Sequence, residues 1–91
     1  MEEIELMPII SEFYGIKIMM FWNEHMPPHF HAQYGENKIV EIESGAVIRG
    51  VFPFKQLKLV LAWCEIHRDE LLLNWENAVK HESIYRINPL I

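Results

Sequence analysis

Three histidines lie close together in the first third of the chain, at a spacing that could do chemistry. His25, His29 and His31 fall within seven residues. On an extended strand, residues two apart project to the same side, so the alpha carbons of His29 and His31 would be roughly 6.5 Å apart. Two imidazoles at that distance can bind one ion, and His25 could add a third nitrogen across the Pro27-Pro28 turn. Three histidines with an open fourth position are typical of catalytic zinc, and imidazole also suits iron and nickel.

Two other interpretations of this histidine cluster are open. The imidazoles could face solvent on a half-exposed strand and bond to turn carbonyls. Alternatively, one of them could serve as a general acid or base or contact a phosphate, because imidazole titrates near neutrality. A His-x-His pair on a strand is only a moderate signal for metal, so the sequence leaves all three interpretations standing.

A second polar group could complete a site with these histidines. The run from His67 to Glu70 carries His67, Arg68, Asp69 and Glu70. Helix capping and an exposed helix surface explain such a run by themselves. If the fold brings Arg68 or His67 to the face that carries His29 and His31, the three side chains would form one composite catalytic site.

Other residues fit catalytic patterns less well. In an enzyme that cleaves a phosphodiester, Arg49 and Lys55 would contact the phosphate charge. Cys64 lies in a strongly apolar stretch, where a thiol is usually inert packing. The sequence has no glycine-rich phosphate loop and no serine in a nucleophile elbow, which excludes a P-loop or Rossmann nucleotide site.

The elements that must position these residues follow from periodicity. Residues 29–34 alternate in polarity as a strand does, and residues 39–43 and 46–51 continue as further strands after glycine turns. Two earlier runs, 9–14 and 16–22, are rich in β-branched and aromatic residues and are hinged at Gly15. From Pro53 to Lys80 the pattern is helical, but an unbroken helix would be roughly 42 Å long, so we expect a break between His67 and Asp69.

Together these elements predict an α+β fold. An antiparallel sheet of four to five strands in the N-terminal half would pack against two C-terminal α-helices. At 91 residues, with 51% hydrophobic and 23% charged residues, the chain should form a single domain over residues 1–91.

Composition also limits the functional classes. The net charge is −5, which disfavours broad nucleic-acid binding. The chain has no apolar run of membrane-spanning length and begins with Met-Glu-Glu instead of a basic signal-peptide region, so no membrane association is expected. One cysteine suits a reducing compartment, and the predicted location is the cytoplasm.

Several motifs resemble one family closely. The stretch from His25 to Ala32 reads His-Met-Pro-Pro-His-Phe-His-Ala, and Leu59 to Trp63 and Asn74 to Glu76 add Leu-Val-Leu-Ala-Trp and Asn-Trp-Glu. These residues are similar to the small bacterial domain of unknown function 4160 family, whose hallmark is His-Pro-Pro-Pro-His-Phe-His-Ala. Met26 replaces the first proline of that hallmark. The resemblance covers roughly residues 7 to 90.

The resemblance implies a cytoplasmic bacterial protein that is often encoded beside a small partner of the uncharacterised 2442 family, in an arrangement that looks like a toxin–antitoxin pair. This chain would then be the toxin-like member, with the histidine cluster at its functional surface. A second hypothesis is a non-catalytic module that binds a partner or forms a homodimer through its sheet edge and through exposed Phe21, Trp22 and Tyr34. A third is a small metal-dependent enzyme.

Overall fold

The computed structural model describes residues 9–20, 28–35, 38–43 and 46–90, and for 38–43, 48 and 49 the backbone alone. The strands are β1 (Ile9–Phe13), β2 (Ile16–Met19), β3 (Phe30–Tyr34), β4 (Lys38–Glu43) and β5 (Ala46–Gly50). The helices are α1 (Phe54–Ile66) and α2 (Arg68–Val79). The predicted α+β class, an antiparallel sheet followed by two helices, is confirmed.

The sheet is an antiparallel meander in which each strand pairs with the next, in the order β1-β2-β3-β4-β5. Its first hairpin is tight because Phe13 pairs directly with Ile16, which leaves two residues for the turn. Tyr14 and Gly15 both have positive φ, at 50° and 77°. A two-residue turn of this kind matches the twist of the strands, and Gly15 adopts its conformation without strain.

The core lies between one face of the sheet and the two helices. Ile16, Ile18 and Ala32 are fully buried on that face, and Trp63 of α1 is fully buried against it. The Trp63 ring contacts those of Phe13 and Phe30, with centroids 5.4 and 5.9 Å apart. Trp63 therefore joins the first and third strands to the helical layer.

The helical half breaks at His67, within the predicted interval. His67 ends α1, where its backbone N–H donates to the carbonyl of Trp63 at 3.0 Å, and it precedes α2, where its carbonyl accepts from Leu71 at 2.9 Å. Pro53 stands immediately before α1, a position that suits its fixed φ and missing N–H. Of the helices that the structure describes, none is long and apolar enough to cross a membrane.

A turn after α2 sends the C-terminal segment back across the molecule. His81 has a φ of 60°, and its N–H donates to the carbonyl of Ala78 at 3.0 Å while that of Glu82 donates to Asn77 at 2.7 Å. This pair of bonds is a Schellman motif, which satisfies carbonyls that the helix end would leave open. Glycine usually occupies the position that His81 fills here.

The segment after this turn docks along β1, which is an edge strand of the sheet. The N–H of Ile87 donates to the carbonyl of Ile10 at 2.8 Å, and the indole N–H of Trp63 donates to the carbonyl of Asn88 at 2.8 Å. Buried Asn74 clamps the segment by donating to the carbonyl of Tyr85 at 2.7 Å and accepting from its N–H at 3.0 Å. The docked segment thus covers a strand edge that could otherwise pair with another chain.

Asn74→Ala should destabilise the fold because both of these bonds are lost and two backbone groups of Tyr85 lose their partner. We expect the free energy of unfolding to fall by about 2–3 kcal/mol. Urea denaturation followed by circular dichroism measures the change. Asn77→Ala is the matched control on the same helix, since the side chain of Asn77 is only partly buried. Equal effects of the two substitutions would contradict the assigned role of Asn74.

Candidate functional site

A cavity of about 110 Å³ opens where the sheet meets the break between the helices. On the sheet side it is lined by Met20, which follows β2, and by Pro28, His29 and Phe30 at the start of β3. On the helix side it is lined by Cys64 near the end of α1 and by Arg68, Leu71, Leu72 and Trp75 of α2. The cavity therefore brings together His29 and Arg68, two of the three residues of the predicted composite site.

His29 is held in this position by packing. It immediately precedes β3 and is only 6% exposed. Its ring lies 5.2 Å from that of Trp75, centroid to centroid, at an interplanar angle of 48°. The interpretation that placed this imidazole in solvent is wrong for His29, because the indole of α2 covers it.

His31 lies two residues further along β3 and is partly buried. Its ring centroid is 5.5 Å from that of His29. Two imidazoles that share one tetrahedral ion, with metal–nitrogen bonds of about 2.1 Å, hold their centroids roughly 5 Å apart. The spacing of His29 and His31 is therefore compatible with a shared ion.

The third predicted ligand, His25, lies outside the described residues. In the part of the chain that the structure describes, no group of three histidine, cysteine, aspartate or glutamate side chains could hold a metal ion. The metal site formed by His25, His29 and His31 stays a prediction.

Arg68 is the first residue of α2 and supplies the cation of the cavity. Its guanidinium donates to a carboxylate oxygen of Glu65 at 2.5 Å. This hydrogen bond, together with the charge of Glu65, raises the pKa of Arg68 above its usual value. The guanidinium is thus charged at every physiological pH, and its side chain is 41% exposed at the rim of the cavity.

His67, the other candidate for the composite site, makes different contacts. Its ring packs on Trp63 with centroids 5.5 Å apart, and its Nδ1 bonds to the carboxylate of Glu70. These contacts place His67 in the helix junction, where it supports the turn that positions Arg68.

Of the predicted phosphate contacts, Lys55 is away from the cavity, and the side chain of Arg49 lies outside the described part of the chain. Lys55 is exposed in the first turn of α1, about 14 Å along the helix axis from Cys64. Arg49 pairs in register with Glu41, which in turn pairs with His31, so these three positions form one row across β3, β4 and β5. The backbone register therefore places Arg49 in the same row as His31, and its role as a phosphate contact stays a prediction.

The predicted partner-binding aromatics are only partly described. Phe21 and Trp22 lie outside the described residues. Tyr34 is partly buried, and its ring packs edge-on against Phe52 with centroids 6.2 Å apart. The expectation that Tyr34 is exposed is wrong, because this contact holds it against the core.

Sequence reasoning missed the apolar walls of the site. Leu71, Leu72 and Trp75 follow Arg68 at intervals of three, four and seven residues. This spacing places all four on one helix face, a signal that was present in the sequence. What the sequence did not reveal is that this face of α2 meets the start of β3.

Comparison with known proteins identifies the chain at family level. Residues 15–76 match the family described as domain of unknown function (DUF4160). The chain belongs to this family. The match includes His29, His31, Arg68 and Trp75, so the cavity lies within the part of the chain that defines the family. No curated protein and no solved structure matches the chain.

The metal interpretation is tested by elemental analysis of untagged protein purified without chelator. It predicts near-stoichiometric zinc, iron or nickel in the wild type and none in a His29→Ala/His31→Ala variant. His81→Ala is the control, because His81 is exposed at the end of α2. The same metal content in all three proteins would refute the assignment of His29 and His31 as ligands.

Proposed function

We propose that this chain is the toxin-like member of a two-protein bacterial module and that the cavity lined by His29 and Arg68 is its functional site. One observation carries the proposal. A buried imidazole and a permanent cation, which are distant in the sequence, line the same small cavity. Catalytic sites commonly pair a proton-transfer group with a group that stabilises developing negative charge.

The two side chains suit different roles. Histidine is the commonest general acid or base in enzymes, and burial against Trp75 fixes the ring of His29 in one place. Arg68 at the rim would stabilise an anionic group of a substrate, since its charged guanidinium offers five N–H donors and no acceptor. His31, with its ring 5.5 Å from that of His29, would position that ring or share its proton.

The small size of the cavity is compatible with the negative net charge of the protein. A net charge of −5 disfavours a groove that follows a nucleic-acid backbone. A small cavity whose described rim carries Arg68 needs no such groove. The proposed substrate is therefore a small molecule, or one group of a larger one, that enters the cavity.

A partner protein would control this activity by covering the cavity. The resemblance stated above implies a small partner of the 2442 family encoded alongside. Apolar side chains beside the cavity offer a contact surface for it, because Leu72 is 45% and Val79 51% exposed on α2. Exposed apolar patches of this kind commonly mark protein interfaces.

Expression in a bacterial host tests the proposal. We expect wild-type protein to arrest growth, co-expression of the neighbouring gene product to restore it, and His29→Ala and Arg68→Ala to abolish the arrest. His81→Ala and Glu65→Ala are the matched controls, because Glu65→Ala removes the ion pair but keeps the guanidinium. Unimpaired growth despite abundant soluble wild-type protein would refute the toxin-like function.

A second candidate function is favoured by exposed apolar side chains on α2 and at the end of α1. Leu73 is 57% exposed and Ile66 65% exposed, on positions that do not line the cavity. A non-catalytic binding module would use such a surface for a partner or a second copy. It predicts a stable dimer or heterocomplex that Leu73→Asp disrupts and His29→Ala leaves intact, as measured by light scattering during size-exclusion chromatography. A complex that depends on His29 but not on Leu73 would refute this alternative.

A further inference from the structure

The size of the cavity matches one ring of a ligand. Its volume of about 110 Å³ is of the same order as the ~150 Å³ apolar cavity that holds benzene in another protein. Phe30, Leu71 and Trp75, each less than a tenth exposed, form apolar walls. Leu72 lies at the mouth, where it is about half exposed. A ring that enters this space would remove apolar surface from water on both partners.

The polar groups of the cavity suit a ligand that accepts hydrogen bonds. The guanidinium of Arg68 and the indole of Trp75 can only donate hydrogen bonds. The indole nitrogen of Trp75 is buried, and within the described part of the chain it has no hydrogen-bond partner. This nitrogen has almost no accessible surface, so the guanidinium of Arg68, at the rim, is the donor that a ligand in the cavity reaches directly. Among the described residues that line the cavity, none is acidic.

We propose that the cavity binds a small ligand in which a single ring carries an anionic group, such as a phosphate ester or a carboxylate. The ring lies between Leu71, Leu72 and Trp75, and the anion is held by Arg68 with His29 beside it. This inference rests on the proposed function for its location and names the substrate class of that site.

The ion pair of Arg68 leaves the guanidinium able to bind such a ligand. Glu65 is 73% and Arg68 41% exposed at their side chains, and an exposed pair of this kind contributes little free energy. Four of the guanidinium's five donors are not needed for the single bond to Glu65. Glu65→Gln should therefore strengthen anion binding, because it removes a competing negative charge beside the site.

Titration of phenyl phosphate, benzoate and neutral benzyl alcohol into the full chain, followed by two-dimensional ¹H–¹⁵N NMR, tests the proposal. We expect both anions to bind, benzyl alcohol to bind about tenfold more weakly, and the indole N–H signal of Trp75 to shift. The two anions distinguish a phosphate from a carboxylate ligand. Inorganic phosphate, which has no ring, should bind more weakly than phenyl phosphate.

Two variants locate the site. Leu72→Trp fills the mouth of the cavity and should reduce the affinity for phenyl phosphate at least about tenfold, whereas Leu73→Trp, the matched control on the same helix, should not. Arg68→Ala should remove the preference for phenyl phosphate over benzyl alcohol, and it is an exposed substitution that spares the core. Equal affinity in wild type and Leu72→Trp, or no saturable binding of either anion, would overturn the proposal.

The outcomes separate this inference from the proposed function. If wild-type protein binds phenyl phosphate in the cavity but does not arrest growth, the ligand site is supported and the toxin-like function is refuted. Growth arrest that requires His29, in a protein that binds neither anion, would overturn the ligand class alone.

Discussion

The complete burial of Trp63 is the interaction on which the remaining structure depends. Its ring contacts Phe13 at the end of β1, Phe30 at the start of β3 and His67 at the helix break. Its indole N–H donates to the carbonyl of Asn88, which fixes the C-terminal segment. One large side chain thus fixes the sheet, the first helix, the junction and the tail relative to one another. In a small domain, where core volume is limited, a single aromatic side chain can make contacts with most of the elements that form the core.

The cavity arises because the tryptophans of the two helices pack against different parts of the sheet. Trp63 fills the space above the middle of the sheet, whereas Trp75 packs against His29 at the end where β3 begins. Cys64, which follows Trp63 on α1, also lines the cavity, and its side chain is small. The break at His67 then turns α2 so that Arg68 reaches the rim. The site is therefore formed by the same contacts that stabilise the fold, and His29 is held rigidly for the same reason.

The sequence predicts much of this architecture because its local signals agree with one another. Alternation over residues 29–34 and the hinge at Gly15 between two β-branched runs identify strands, and the length of the helical half requires a break near His67. The site is predicted only in part. Spacing could show that His29 and His31 are neighbours on a strand and that Arg68 shares a helix face with Trp75, but not that the two elements meet. That contact is set by tertiary packing around Trp63. The docking of residues 84–90 depends on Asn74, a single buried amide that no periodic pattern reveals.

Local geometry resolves the apparent conflict between an acidic protein and a site for anions. Net charge governs long-range attraction, and over distances beyond about 10 Å salt screens it at physiological ionic strength. Binding in a cavity depends instead on the groups at its wall. Here the described part of the wall carries the guanidinium of Arg68, and the acidic Glu65 is exposed and paired with the same arginine. An anion with an apolar ring satisfies both the donors and the apolar wall. Among the described residues that line the cavity, Arg68 alone would contact a long polyanion, which would also meet the repulsion of the negatively charged molecule, so the proposed site favours small anions over nucleic acid.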